Sequence, residues 1–392
     1  MKLLFCILII AITATADDNS CEENFKNAIE QFTVRLAAEV ARQHPGGSSI
    51  LSAYSVMPLL GMVGLASIGT THDEVLKTIG LPNDDKVKEA FSSSTNRLKS
   101  VKGVTLKTAN KIYIDKKYEL NADFAAISKS VFDSEVETVD FSQSEKSAAE
   151  INSWVASYTN NLIKDLVNKD SIDAQTISIL VNAIYFKGNW KEKFDARRTM
   201  DRDFFVNKEK KIQVPMMYKS GNFLYGESKE LDAKLIEIPY EGDEASFMVI
   251  LPNDIEGLPE LQRKLSVKSL LKQAESEMSS VDIDLFLPKF KIETQTDLKE
   301  ALENMNLKSL FSPDAQITKL ITESGSLSVS KAIQKAFIEV NEDGSEAAAG
   351  SALELVDRYG DDNPSIVFYA NKPFYFVLKH HTGILFSGGF RP

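Results

Sequence analysis

The residues able to do chemistry in this chain are few. Only four histidines occur, His44, His72, His380 and His381. In a strand the adjacent pair His380 and His381 would point to opposite faces, so a shared metal ion is not expected and no metal ligands are assigned. The chain contains no Gly-x-Ser-x-Gly elbow, His-Glu-x-x-His, Cys-x-x-Cys or Gly-x-x-x-x-Gly-Lys motif. Each of these holds a nucleophile, a metal or a phosphate at fixed geometry, and without them the chain is not expected to be an enzyme.

One stretch stands apart: Val340-Asn341-Glu342-Asp343-Gly344-Ser345-Glu346-Ala347-Ala348-Ala349-Gly350-Ser351, continuing to Leu355-Val356-Asp357-Arg358-Tyr359. Ser345 before Glu346-Ala347-Ala348-Ala349 resembles a capped helix start, and Arg358 before Gly360 a helix end. Gly350-Ser351 weakens that helix in its middle. No large side chain occurs from Gly344 to Ala352, so the same residues, extended, would pass between two strands without steric conflict. Both conformations are open to it.

This run resembles the hinge of the serpins, whose reactive loop begins with a Glu-Glu-Gly-Thr-Glu-Ala-Ala-Ala type sequence. Leu180-Val181-Asn182-Ala183-Ile184-Tyr185-Phe186-Lys187-Gly188-Asn189-Trp190 resembles the strand that opens toward that loop. Asn371-Lys372-Pro373-Phe374 and Ile384-Leu385-Phe386-Ser387-Gly388 resemble the C-terminal strands. The resemblance implies an α+β serpin fold: helices around a large, mostly antiparallel central sheet, two further sheets, and an exposed reactive-centre loop at about 341–364. It also implies a suicide-substrate inhibitor, in which a serine protease acylates the loop and the cleaved loop inserts into the sheet before deacylation. Such insertion adds a strand to a sheet and releases strain stored in the native fold.

The family's loop spacing, carried from Gly344, puts the scissile bond at Arg358-Tyr359, with Leu355, Val356 and Asp357 in the preceding subsites. Arginine suits a trypsin-like pocket with a buried aspartate; a register one residue later would present Tyr359 to a chymotrypsin-like enzyme. Ser345, Ala347, Ala349 and Ser351 form the alternate set that insertion would bury, and all are small, whereas Glu346 has the opposite parity. Noninhibitory carriers or chaperones of the family tend to have bulky or charged residues there, which favours an inhibitor. The overall pattern is most similar to secreted arthropod serpins, tick salivary ones included, with coagulation, complement or inflammatory proteases as targets and endogenous immune control as the alternative.

By the same resemblance Trp190 marks the breach where the sheet opens, and Asn182, Ser52, Ser55 and Gln334 mark the shutter beneath it. Two residues depart from the family pattern. Ala53 stands where proline is usual, and Gln334 stands where a histidine usually bonds the residue matching Asn182. Glutamine both donates and accepts but is longer and more flexible, so an altered shutter is expected. Ser52 and Ser55 also read as a helix N-cap, which is compatible with that role.

The elements that must position these residues follow from periodicity. Phe25, Ile29, Phe32, Leu36 and Val40 recur as one helical face within 24–41, and 57–68 reads as a buried helix. Residues 104–114 read as a strand, and 147–167 as an amphipathic helix carrying Ile151, Trp154, Val155, Tyr158, Leu162 and Leu166. Residues 234–240 and 246–252 form a hairpin. The stretch 281–292 alternates around a break at Pro288, 337–340 enters the hinge, and strands resume at 366–368 and 374–378.

Met1-Lys2, the apolar run Leu3 to Ile12 and Ala14-Thr15-Ala16 form a secretory signal pattern, with cleavage expected after Ala16. Residues 17–392 then form a single domain, because no linker, repeat or low-complexity tract divides them. Loss of Lys2 changes the net charge from −11 to −12, 44 basic against 56 acidic residues, which argues against nucleic-acid or membrane-surface partners. Cys6 leaves with the signal and Cys21 stays unpaired, so no internal disulfide forms. The expected protein is a secreted monomer that needs no cofactor. Lys88, Arg97, Lys99, Lys102 and Lys107, between Lys86 and Lys111, are read as a solvated mixed-charge face in preference to a glycosaminoglycan site.

Overall fold

The computed structural model describes residues 2–98, 103–266, 270–323, 325–345 and 366–392, with side chains described from residue 23 onward except at 94–98. Two sheets dominate. The six-stranded sheet runs in the order Phe290–Asp297, Lys331–Val340, Gly344–Ser345, Ser178–Asn189, Val104–Asp115 and Glu135–Val139. Four of its pairings are antiparallel, while Lys331–Val340 also lies parallel to Ser178–Asn189, and Glu135–Val139 parallel to Val104–Asp115. The expected further sheets are hydrogen-bonded into one nine-stranded sheet. The strand Lys211–Ser228 is long enough to join them, pairing with Met200–Phe205 near one end, Ala233–Pro239 near the other, and Ser279–Pro288 between.

The Ser178–Asn189 strand explains why its sequence is an almost unbroken apolar run. Leu180, Ile184 and Phe186 enter the main core between the sheets, while Ile179, Val181, Ala183 and Tyr185 enter a second core on the opposite face. A strand covered on both faces has no polar side to present, and its one buried amide, Asn182, therefore has to find partners inside. The break at Pro288 is a sheet switch: Pro288 is registered with Met216 in the larger sheet, and Phe290 with Val340 in the smaller.

The helix Lys2–Gln43 buries Phe25, Ile29, Phe32, Leu36 and Val40 against the main core, as their spacing requires. The helix expected at 57–68 spans Ala53–Ala66, almost wholly buried. The one expected at 147–167 spans Ser144–Tyr158 and stops nine residues early. Asn160 and Asn161 take positive φ values of 51° and 60°, which ends the helix. Ile163, Leu166 and Val167 still reach the second core, because the Asn152 side chain accepts the backbone N–H groups of Leu166 and Val167, each at 2.9 Å. Apolar periodicity therefore continues past the helix that carries it.

Candidate functional site

The strands Ser178–Asn189 and Lys331–Val340 part at one end, and Gly344 and Ser345 are already seated in the gap. Gly344 is registered antiparallel to Asn189, and Ser345 to both Gly188 and Val340. Only glycine fits at 344: at φ 155° a Cβ would meet the Gly188 carbonyl oxygen at 1.9 Å. Ser345 is 0% exposed, and its Oγ lies 2.6 Å from the Tyr240 hydroxyl. Burial raises the Tyr240 pKa well above the phenol range, so the hydroxyl stays protonated and available to that bond.

Trp190 holds the turn that precedes the seat. Its ring stacks on Tyr240 at 4.7 Å between centroids and 9° between planes, its indole N–H donates to the Asn341 carbonyl at 2.8 Å, and its backbone N–H to that of Asp343 at 2.9 Å. The Asn341 Oδ1 in turn accepts the N–H groups of Asp343 and Gly344 at 3.1 and 3.2 Å, a side-chain turn that aims the chain into the gap. Lys193 pairs with Asp343 at 2.8 Å, and Lys289 with Glu342 at 2.9 Å. The Thr199 hydroxyl donates to Glu342 at 2.9 Å. Burial pushes the Glu342 carboxyl upward, but the Lys289 ammonium, its own backbone N–H and Thr199 outweigh burial and hold it below the ordinary 4.5.

Beyond the gap, where the two strands pair directly, Gln334 and Asn182 are registered opposite each other. The Gln334 Nε2 donates to Asn182 Oδ1 at 2.6 Å and to the Ser52 carbonyl at 2.8 Å, while its Oε1 accepts the Ser52 N–H at 3.1 Å. Asn182 Nδ2 donates to the Ser55 carbonyl at 2.9 Å and to Asn110, and its Oδ1 accepts the Ser55 hydroxyl at 2.9 Å. Ser52 caps the helix by accepting the Ser55 N–H, and its hydroxyl reaches the Leu385 carbonyl at 2.6 Å. The cap and shutter positions are thus one network. Gln334, which departs from the family pattern, is a member of this network, its amide serving as both donor and acceptor. Ala53 is buried at the first turn of the same helix.

Among the residues singled out by sequence, Glu342, Gly344, Ser345, Trp190, Asn182, Ser52, Ser55 and Gln334 converge on this gap. Glu346, Ala347, Ala348, Ala349, Gly350, Ser351, Leu355, Val356, Asp357, Arg358 and Tyr359 lie outside the described residues. Sequence reasoning missed Tyr240, Asn341, Lys289, Lys193 and Thr199, whose roles depend on contacts between 53 and 151 residues away in the chain. In the basic stretch, Lys86 pairs with Glu89 at 2.7 Å, Lys107 donates to Asn160 at 2.9 Å, and Lys111 is buried with Glu135 at 3.1 Å and Glu137. These three cations have protein partners, while Lys99, Lys102 and the side chain of Arg97 lie outside the described residues. One expectation is overturned: His380 and His381 do not diverge. His380 is the last residue of the strand Phe374–His380, and alternation stops where the chain turns, which brings the two rings to 3.8 Å between centroids.

The serpin (serine protease inhibitor) family model matches residues 27–391. The chain is 50% identical to Antitrypsin of Bombyx mori over 391 residues, covering 100% of both chains. It is 52% identical to Antichymotrypsin-2 of Bombyx mori over 367 residues, covering 94% of this chain and 98% of that one. Among solved structures, Serpin48 of the insect Tenebrio molitor superposes with a TM-score of 0.87 at 31% identity, covering 94% of this chain and 98% of that one. All three are arthropod proteins, in keeping with the arthropod character of the sequence.

Proposed function

This chain belongs to the serpin family of serine protease inhibitors, and from that premise we propose that it is a secreted suicide inhibitor of trypsin-like enzymes that acts through Arg358. The observation that carries the reading is the seat of Ser345 between two strands, with a network beneath it placed along the path of an inserting strand. Continuing the register of Ser345 with Gly188 sets Ala347 opposite Phe186, Ala349 opposite Ile184 and Ser351 opposite Asn182. Continuing its register with Val340 sets Ser351 opposite Gln334 as well. The two extrapolations agree. Small side chains then face a filled core, and the serine hydroxyl arrives where the Asn182–Gln334 bond must break.

Leu355 would reach Ser178, the end of the strand, so insertion uses the whole length between the hinge and the subsites. At about 3.4 Å per residue the acylated Arg358 would travel on the order of 35 Å or more, across the sheet. The protease serine attacks the Arg358 carbonyl and the amine of Tyr359 leaves; movement before hydrolysis traps the ester. No cofactor is required by this scheme, the partner is the protease, and the acidic chain acts as a monomer away from nucleic acid and membrane. Among the described residues no helix is long and apolar enough to cross a membrane.

A second register has an observation in its favour. Relatives named for trypsin and for chymotrypsin are similar to this chain to nearly the same degree, so the loop rather than the scaffold must choose between Arg358 and Tyr359. Mixing the protein with trypsin tests both readings. A covalent band on denaturing electrophoresis and a released peptide beginning at Tyr359 are expected, and Arg358→Ala should abolish both. A peptide beginning at Gly360, or trypsin inhibition that survives Arg358→Ala, would exclude the assigned bond.

A further inference from the structure

We propose that His380, His381 and Glu244 form a binding site for a divalent transition-metal ion such as Zn2+, built at the turn that follows the Phe374–His380 strand. Each residue offers one ligand atom, and the three atoms lie within 4.8 Å of one another. The His380 Nε2 stands 4.0 Å from Glu244 Oε2. Ligands about 2.0–2.1 Å from a tetrahedral Zn2+ are about 3.3 Å apart, so closure requires shifts of up to about 1.5 Å. His381 is exposed and Glu244 half-buried, and those two side chains are free to make that movement around a fixed His380.

The independent observation is at His380. Its side chain is 0% exposed, and its Nε2 is buried without any hydrogen-bond partner. A buried imidazole nitrogen left unpaired carries a free-energy cost that ordinary packing does not offset, and such groups in folded proteins are exceptional. On the other side of the ring, Nδ1 lies 2.8 Å from the Thr382 hydroxyl, with the Thr382 N–H at 3.3 Å. In the metal-free ring the Thr382 N–H donates to Nδ1; a cation at Nε2 selects the other tautomer, which gives up that longer contact while Nδ1–H donates to the Thr382 hydroxyl, the usual outer support of a metal-bound histidine.

Glu244 supplies the anion. Among the described residues no lysine or arginine pairs with it, whereas Lys379, next to His380, is occupied by Glu237 at 2.8 Å and Glu275 at 3.3 Å. All three ligands line a cleft of about 930 Å³, which provides an entry path and room for a water ligand. Two imidazoles and a carboxylate with an open fourth position suit Zn2+ or Cu2+ rather than Ca2+ or Mg2+.

The test is titration of the chelator-treated protein, carrying Cys21→Ser so that no thiol competes, with Zn2+ against a chromophoric chelator. One ion per chain is expected, and a Co2+ form should show the visible bands of a nitrogen-ligated tetrahedral site. Glu244→Ala and His381→Ala alter exposed or half-exposed side chains and should leave the unfolding temperature of the metal-free protein unchanged. Each should weaken Zn2+ binding by about tenfold or more, and the double variant should lose the Co2+ bands. His72→Ala, whose ring is engaged by Asp73 and Asp84, should change nothing. Absence of Zn2+ uptake, or uptake unchanged in the Glu244→Ala/His381→Ala protein, would overturn the assignment.

Discussion

At the scale of single residues, Ser345 has the tightest requirement. It is fully buried, its hydroxyl is bonded to Tyr240, and it sits beside the Trp190–Tyr240 stack. An arginine there would carry a charge into a fully buried seat beside the Trp190–Tyr240 stack, a cost of several kcal/mol in order of magnitude. Ser345→Arg is therefore expected to leave the chain folded, with residue 345 outside the sheet, and to convert inhibition into turnover. The ratio of covalent complex to cleaved protein measures this, and an undiminished yield of complex would refute the small-residue argument. Glu342 makes a pH prediction. Its carboxyl has a lower pKa in the folded chain than the ordinary 4.5, so its stabilisation is complete above about 4.5 and is lost as pH falls through the folded value. Hydrogen-exchange protection of Gly344 and Ser345, corrected for intrinsic rates, should fall over that acid range. Glu342→Gln should remove most of this dependence.

The smallness of Ser345 and the glycine at 344 are legible in the sequence, because they are local requirements. Their partners are not. Tyr240 reads as an ordinary strand aromatic, and nothing near it in sequence indicates that its hydroxyl meets a residue 105 positions later. His380 and His381 show the opposite failure: the alternation rule holds within a strand, but this strand ends at His380, so the rule does not extend to its neighbour.

At the scale of elements, the paired strands Ser178–Asn189 and Lys331–Val340 form a closed door whose latch is the Gln334–Asn182 bond. Removal of one partner leaves the other buried and partly unsatisfied, at a cost of about 1–3 kcal/mol. Gln334→Ala should lower the unfolding temperature of the intact protein and increase spontaneous loop insertion or loop-to-sheet association between molecules, read by native electrophoresis after mild heating. An unchanged unfolding temperature and a monomeric product would show that the network does not hold the gap. Strand identities here are readable from hydrophobic runs and from Pro288. The shortened helix Ser144–Tyr158 is not, because Leu162 and Leu166 keep the helical spacing while Asn160 and Asn161 break the backbone. Periodicity reports which residues face the core, and it does not distinguish a helix from a loop tied down by a side chain such as Asn152.

At the scale of the whole molecule, the fold leaves a gap at one end of two otherwise paired strands, with Gly344 and Ser345 seated in it. On the proposed reading, the intact form holds one unmade strand's worth of backbone pairing in reserve. That reserve would drive insertion once cleavage frees the loop, and insertion in turn accounts for the small residues of the hinge sequence. Thermal unfolding of the protein before and after cleavage of the loop measures it directly. The account predicts that the cleaved form, with 346–355 paired between the two strands, unfolds at a much higher temperature than the intact form. Equal unfolding temperatures, with cleavage verified between Arg358 and Tyr359, would contradict insertion and leave the chain a substrate rather than an inhibitor.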